Sequence, residues 1–114
     1  MDCIFCKIAN KEIAAQLLYE DDAVVAFNDI SPAAPVHILV IPKKHIASLL
    51  DLTAVDNSLV SHIITEVVPR LVKEAGIAEK GFRLVVNTNE DGGQTVNHLH
   101  FHLLGGRAMQ WPPG

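Results

Sequence analysis

The chain has 114 residues, 49% of them hydrophobic and 19% charged, with a formal net charge of -4. That balance suits one folded domain spanning residues 1–114 and argues against a disordered chain. The acidic balance and the lack of an arginine cluster argue against duplex nucleic acid as a partner. The longest apolar runs, Ala23 to Phe27 and Ile38 to Ile41, are too short to span a membrane.

Met1 to Lys7 contains no basic segment followed by an apolar run, so no secretory leader is read and a cytoplasmic protein is expected. Cys3 to about Ala9 is expected to form a short helix. Leu17 to Glu20 and Ala23 to Asn28 read as strands joined at Asp21-Asp22. Asp29 to Pro35 is a turn-rich loop, and Val36 to Ile41 a buried strand stopped by Pro42. From Ala54 to Ala75, Val55, Leu59, Ile63, Val67, Leu71 and Ala75 recur every fourth position, the apolar stripe of a helix packed on a sheet. Thr53 and Asp56 suit its N-terminus and Gly76 its end. Pro69 predicts a bend, since an interior proline costs about 3 kcal/mol. Phe82 to Asn87 and His98 to Leu104 are the last strands, around the loop Thr88 to Val96. The order β-β-β-helix-β-β predicts an α+β fold: an antiparallel sheet of about five strands, one long helix and a short N-terminal helix.

The chemistry concentrates at the C-terminal end. On a strand, alternate residues share a face, so His98, His100 and His102 would point one way and Leu99, Phe101 and Leu103 the other. A fortuitous surface cluster would not need that alternation. A three-histidine metal site is compatible in ligand count, but rings about 6.5 Å apart along a strand converge poorly on one ion. A nucleophilic histidine served by neighbouring imidazoles is the third reading.

The run Gly92-Gly93-Gln94-Thr95-Val96-Asn97-His98-Leu99-His100-Phe101-His102-Leu103-Leu104 resembles the signature of the histidine triad (HIT) superfamily. Phe27 to Pro32, His37 to His45 and the ending Trp111-Pro112-Pro113-Gly114 are similar to its Hint branch, the histidine triad nucleotide-binding proteins. The resemblance covers nearly the whole chain. It implies a HIT-like fold and a homodimer that hydrolyses purine nucleoside phosphoramidates. His100 would attack the α-phosphorus to form a nucleotidyl-histidine, His102 would line the phosphate, and His37 would complete a proton relay. Asp29 would accept the ribose hydroxyls. Phe5, Ile8, Phe27 and Ile30 would form the slot for the base, while Asn87, Gly93, Gln94 and Thr95 would contact the phosphate and leaving group.

The chain departs from the family pattern at Thr95, where serine is usual, and at Asn97, where an aromatic is common. Ala14-Ala15 also stands where a proline is frequent. The branch ending argues against the alternative of a dinucleoside polyphosphate hydrolase. A nucleotide-binding interaction module with vestigial activity is the rival of another class. His62 falls within the helix and has no expected role.

Cys3-x-x-Cys6 is half of a tetrahedral zinc set, with a redox pair and two inert thiols as the other readings. Relatives in the superfamily that carry this pair complete it with two histidines, which implies structural zinc on Cys3, Cys6, His45 and His98. No organic cofactor is expected.

Overall fold

The computed structural model describes residues 3–114; Met1 and Asp2, where the reading for a leader begins, lie outside the described residues. Five strands make one antiparallel sheet in the order β1-β2-β3-β5-β4. They are β1 (Leu17–Glu20), β2 (Val24–Asn28), β3 (Val36–Pro42), β4 (Phe82–Val85) and β5 (Phe101–Gly105). The predicted α+β architecture is the one observed. Asp21 closes the β1-β2 turn by accepting the Ala23 and Val24 amides on Oδ1, both at 2.8 Å.

Both faces of the sheet are covered. Val24, Ala26, Ile38, Val40, Leu99, Phe101 and Leu103 pack against the helical segment through Ile63, Val67, Leu71 and Val72. Val25, Phe27, Leu39 and Ile41 face the other way, onto Cys3, Phe5, Ile8 and Ala9. Strands buried on both sides read as continuous apolar runs, which is why β2 and β3 do. Among the described residues, no helix is long and apolar enough to cross a membrane.

The long helix is segmented. A 3-10 turn at Ala54–Asp56 leads into α2 (Asn57–His62), a π-helical turn at Ile63–Val67, and α3 (Val68–Glu74). The Thr53 amide donates to Asp56 Oδ2 at 3.1 Å, the expected capping contact. Pro69 has no amide to donate and its ring crowds the carbonyl four residues back, so the preceding turn widens rather than breaking the stripe. Gly76 ends α3 at φ 71°, a conformation that favours glycine.

Two strand limits differ from expectation by more than one residue. β4 ends at Val85 rather than Asn87, and Asn89–Gly92 forms a short turn of helix, α4, in the expected loop. β5 starts at Phe101, so His98 and His100 precede the ladder rather than belonging to it. The β3-β5 register, Val40 opposite Phe101, would next set Leu99 against Pro42, which has no amide to offer. The Leu99 amide instead donates to the Ile46 carbonyl at 2.6 Å. The alternation of faces survives: Leu99, Phe101 and Leu103 are in the helix-side core, and the three histidines lie on the side that carries α1 (Ile4–Ala9).

Candidate active site and metal centre

A cleft of about 620 Å³ opens on the side of the sheet that carries α1 (Ile4–Ala9), a volume typical of small-ligand sites. Phe5 and Ile8 from α1, Phe27 from β2, and Asp29 and Ile30 from the following loop line it. Thr95, His100 and His102 complete the set of expected residues on its wall. Ile30 is 98% exposed at the mouth, an apolar side chain held in solvent beside an apolar slot. Ile4, Ala14, Ala15, Gln16 and Val96 also line the cleft and were not anticipated as site residues. Only the departure at Ala14-Ala15 drew notice to that stretch, and nothing in its pattern places it on the wall.

Hydrogen bonding sets the tautomers of the histidines. His100 Nδ1 lies 2.7 Å from the His98 carbonyl, which can only accept, so Nδ1 carries the proton and in the neutral ring Nε2 keeps its lone pair. The buried His37 accepts the Ala33 amide on Nδ1 at 3.0 Å, so in the neutral ring Nε2 carries the proton. That Nε2–H reaches His102 Nδ1 at 2.9 Å, and Asp29 Oδ2 at a longer 3.4 Å. His102 must then hold its proton on Nε2, which is buried and has no partner among the described residues. Burial pushes the His102 imidazole below its ordinary value of 6.5, and nearby His100 and His37 push the same way, so it is neutral at pH 7. The cleft therefore presents one unprotonated imidazole nitrogen and, from the next ring, an unused N–H donor. The His100 and His102 ring centroids are 4.9 Å apart.

Asp29 has two roles in its loop. Its Oδ1 accepts the Ser31 amide at 2.8 Å, the turn-capping contact its position before Ser31-Pro32 suggests, while Oδ2 faces His37. Asn87, Gly93 and Gln94 do not line the cleft. Gln94 organises its loop, donating to the Ala47 carbonyl at 2.7 Å and the Val96 carbonyl at 3.0 Å and accepting the Asn89 amide at 3.0 Å. Asp29, His37 and His102 bring three donor atoms within 4.8 Å, but a cation there would need the His37 Nε2 lone pair that the Ala33 amide leaves protonated.

Cys3, Cys6, His45 and His98 gather at the N-terminal part of α1, their ligand atoms within 4.8 Å of one another. His98 donates Nε2–H to the Pro42 carbonyl at 2.8 Å, which turns an unprotonated Nδ1 toward the sulfurs. That Nδ1 is 3.3 Å from Cys3 Sγ, 3.5 Å from Cys6 Sγ and 3.2 Å from His45 Nδ1. Cys6 Sγ is 3.2 Å from His45 Nδ1. Tetrahedral zinc, with bonds of about 2.0 Å to nitrogen and 2.3 Å to sulfur, requires ligand separations of roughly 3.3–3.8 Å. The donor set fits such an ion in atom type, tautomer and spacing. Burial, with the Cys6 S–H donating to Cys3, raises the Cys6 thiol to about 11, so a cation must displace a proton to bind there.

His62 is not idle. It bridges Asp21 Oδ2 at 2.6 Å and Glu66 Oε2 at 2.7 Å, tying α2 to the β1-β2 turn far from the cleft. Burial would raise the Asp21 carboxyl, but hydrogen bonds from Tyr19, His62 and the Ala23 and Val24 amides outweigh it and hold the group at about 2.

Residues 10–109 match the HIT domain family. The purine nucleoside phosphoramidase of Escherichia coli K12 is 47% identical over 108 residues, which are 95% of this chain and 90% of that protein. A HIT-like protein of Synechococcus elongatus is 53% identical over 99% of this chain and 97% of its own length. Among solved structures, a HIT family hydrolase from Legionella pneumophila superposes with a TM-score of 0.96 at 50% identity, covering 99% of this chain and all of that one. A histidine triad protein from Clostridium difficile gives 0.92 at 53% identity, over 96% and 95% of the two chains.

Proposed function

The chain belongs to the HIT domain family, and we propose that it is a nucleotide hydrolase acting on purine nucleoside 5'-phosphoramidates through His100. The observation that carries this reading is the tautomer of His100: its Nδ1–H is anchored on a backbone carbonyl, and the free Nε2 belongs to a residue lining the cleft. The phosphoramidase relative from Escherichia coli supports the substrate class.

In this mechanism the nucleoside lies along the cleft, with the base between Phe5, Ile8, Phe27 and Ile30 and the ribose hydroxyls on Asp29. His100 Nε2 attacks the α-phosphorus, forming a P–N bond to the ring as the bond to the leaving amine breaks. His102 Nε2–H, without a hydrogen-bond partner among the described residues, donates to a phosphoryl oxygen or to the departing nitrogen. When His102 gives up that proton, it regains one at Nδ1 from His37 Nε2, and His37 takes a proton from solvent at Nδ1 as the exposed Ala33 amide turns to water. Water then attacks the nucleotidyl-His100, returns its proton through His102 and His37 to solvent, releases the nucleoside monophosphate and restores the imidazole. Thr95 on the wall, with Asn87, Gly93 and Gln94 on the adjoining loop, would border the leaving group.

The same reading includes structural zinc on Cys3, Cys6, His45 and His98. Such an ion would neutralise two thiolates and cross-link three chain segments, taking no part in phosphoryl chemistry. It also includes a cytoplasmic homodimer, supported by the sequence resemblance. The test is turnover of a fluorogenic adenosine phosphoramidate: wild type should turn over, and His100→Ala should lose activity while remaining folded. Equal rates, or no turnover by either, reject the assignment. Protein purified without chelator should carry close to one zinc per chain by metal analysis, and a far smaller content rejects the metal.

A further inference from the structure

The cysteine cluster and the cleft share one short helix. Cys3 is the N-cap of α1, its Sγ accepting the Cys6 amide at 3.3 Å, and Phe5 and Ile8 stand between and just beyond the two sulfurs. Phe5 is also a cleft wall beside the nucleophile: its ring centroid is 5.2 Å from that of His100 and 5.6 Å from Phe27, both edge-on. It touches the metal side as well, 6.0 Å from the His98 ring. A helix of six residues does not hold itself together in water, so α1 depends on what anchors its ends. One anchor is the apolar packing of Phe5, Ile8 and Ala9 on β2 and β3. The other is the donor set, which joins α1 to His45 after β3 and to His98, two residues before His100.

We propose that a cation on Cys3, Cys6, His45 and His98 is the clasp that holds α1 in place as the cleft wall, so that nucleotide and cation binding reinforce each other. Cys3, Cys6 and His45 are thereby positioning residues for the substrate, acting through Phe5 and Ile8. This rests on the nucleotide reading above. Without the cation, α1 samples positions in which the base slot is open on one side, and the nucleotide must restore its order on binding. Whatever the cation gives to nucleotide affinity, the nucleotide must return to cation affinity by the same factor. Ordering a one-and-a-half-turn segment sets that factor at about tenfold, within the usual range for coupled sites.

The experiment titrates AMP into the full chain by calorimetry, zinc-loaded and chelator-stripped, and titrates zinc with and without saturating AMP. The expected result is about tenfold tighter AMP binding with zinc and an equal gain in zinc affinity with AMP. Hydrogen exchange across Ile4 to Ala9 should slow on zinc binding, and in turnover stripping should raise KM more than it lowers kcat. His45→Gln, altering an exposed ligand outside the core, should weaken zinc and leave AMP affinity at the stripped level. AMP affinity that is unchanged by bound zinc overturns the clasp while leaving the nucleotide reading intact. Failure of zinc to bind, or global unfolding of the stripped protein, also overturns it. AMP that binds neither form removes the nucleotide reading and the clasp together.

Discussion

His37→Phe isolates the proton relay from the nucleophile. The substitution keeps a ring in a buried position, does not touch the cleft wall, and deletes two hydrogen bonds: Ala33 N–H to Nδ1 at 3.0 Å and Nε2–H to His102 Nδ1 at 2.9 Å. Ala33 is exposed, so water can satisfy its amide, whereas His102 Nδ1 is left without its donor. One orphaned acceptor in a desolvated ring costs about 1–3 kcal/mol of stability. The kinetic effect has two parts. Releasing the His102 tautomer, held by a bond worth about 1 kcal/mol, misplaces its proton by at most about fivefold in population. Losing the relay that resupplies that proton removes general acid-base assistance, which is worth about 10²–10⁴ in rate. The relay thus dominates, and kcat should fall by at least about 10²-fold with the AMP dissociation constant nearly unchanged. Steady-state turnover and calorimetry on the same preparation measure both. A folded variant with near-wild-type kcat would refute the relay, and a collapse of AMP affinity would show that His37 shapes the cleft instead.

Other outcomes follow from the same geometry. Glu66 and Asp21 hold the His62 imidazole above its ordinary 6.5, so its contribution to stability is fully present below pH 6.5 and lost as pH rises through the raised value. His62→Gln should therefore lower Tm more at about pH 6 than at about pH 9, and an equal loss at both would show that the ion pairs contribute nothing. A Cβ at Gly105 would sit 2.6 Å from Ile77 Cδ1, so Gly105→Ala should cost about 1–3 kcal/mol in denaturant unfolding. Adding Ile77→Val, which removes that Cδ1, should recover part of the loss; no recovery would place the strain elsewhere.

Much of this was legible in sequence, because the signals were periodic and local. The fourfold spacing from Leu59 to Ala75 marked the helix, although Val55, the first of the series, is exposed in the 3-10 turn before α2, and the apolar run of β3 marked a buried strand. The alternation from His98 to Leu103 correctly separated the rings from the core. What it could not convey was that the ladder stops at Phe101, because that depends on Pro42 arriving opposite Leu99 from a distant strand. Pro69 announced an interruption of the helix but not its form, a π-helical turn at Ile63–Val67. Gln94 is expected from the resemblance near the phosphate, and that its amide also holds the Ala47 and Val96 carbonyls depends on how the loop folds. The cleft wall at Ala14 to Gln16 carries no pattern, because small and polar residues line a pocket as readily as they fill a loop. The tautomers of His37, His98 and His100 depend on backbone groups, Ala33 N–H and the carbonyls of Pro42 and His98, which no side-chain pattern encodes.

The central claim is that His100 Nε2 forms a bond to phosphorus. Rapid quenching of the enzyme during turnover of an adenosine phosphoramidate, followed by peptide mapping in the mass spectrometer, tests it directly. The account predicts an adenylyl group on His100, with none on that peptide in His100→Ala. Adenylylation of His102 or His37 in its place, or turnover by His100→Ala at the wild-type rate, would contradict it.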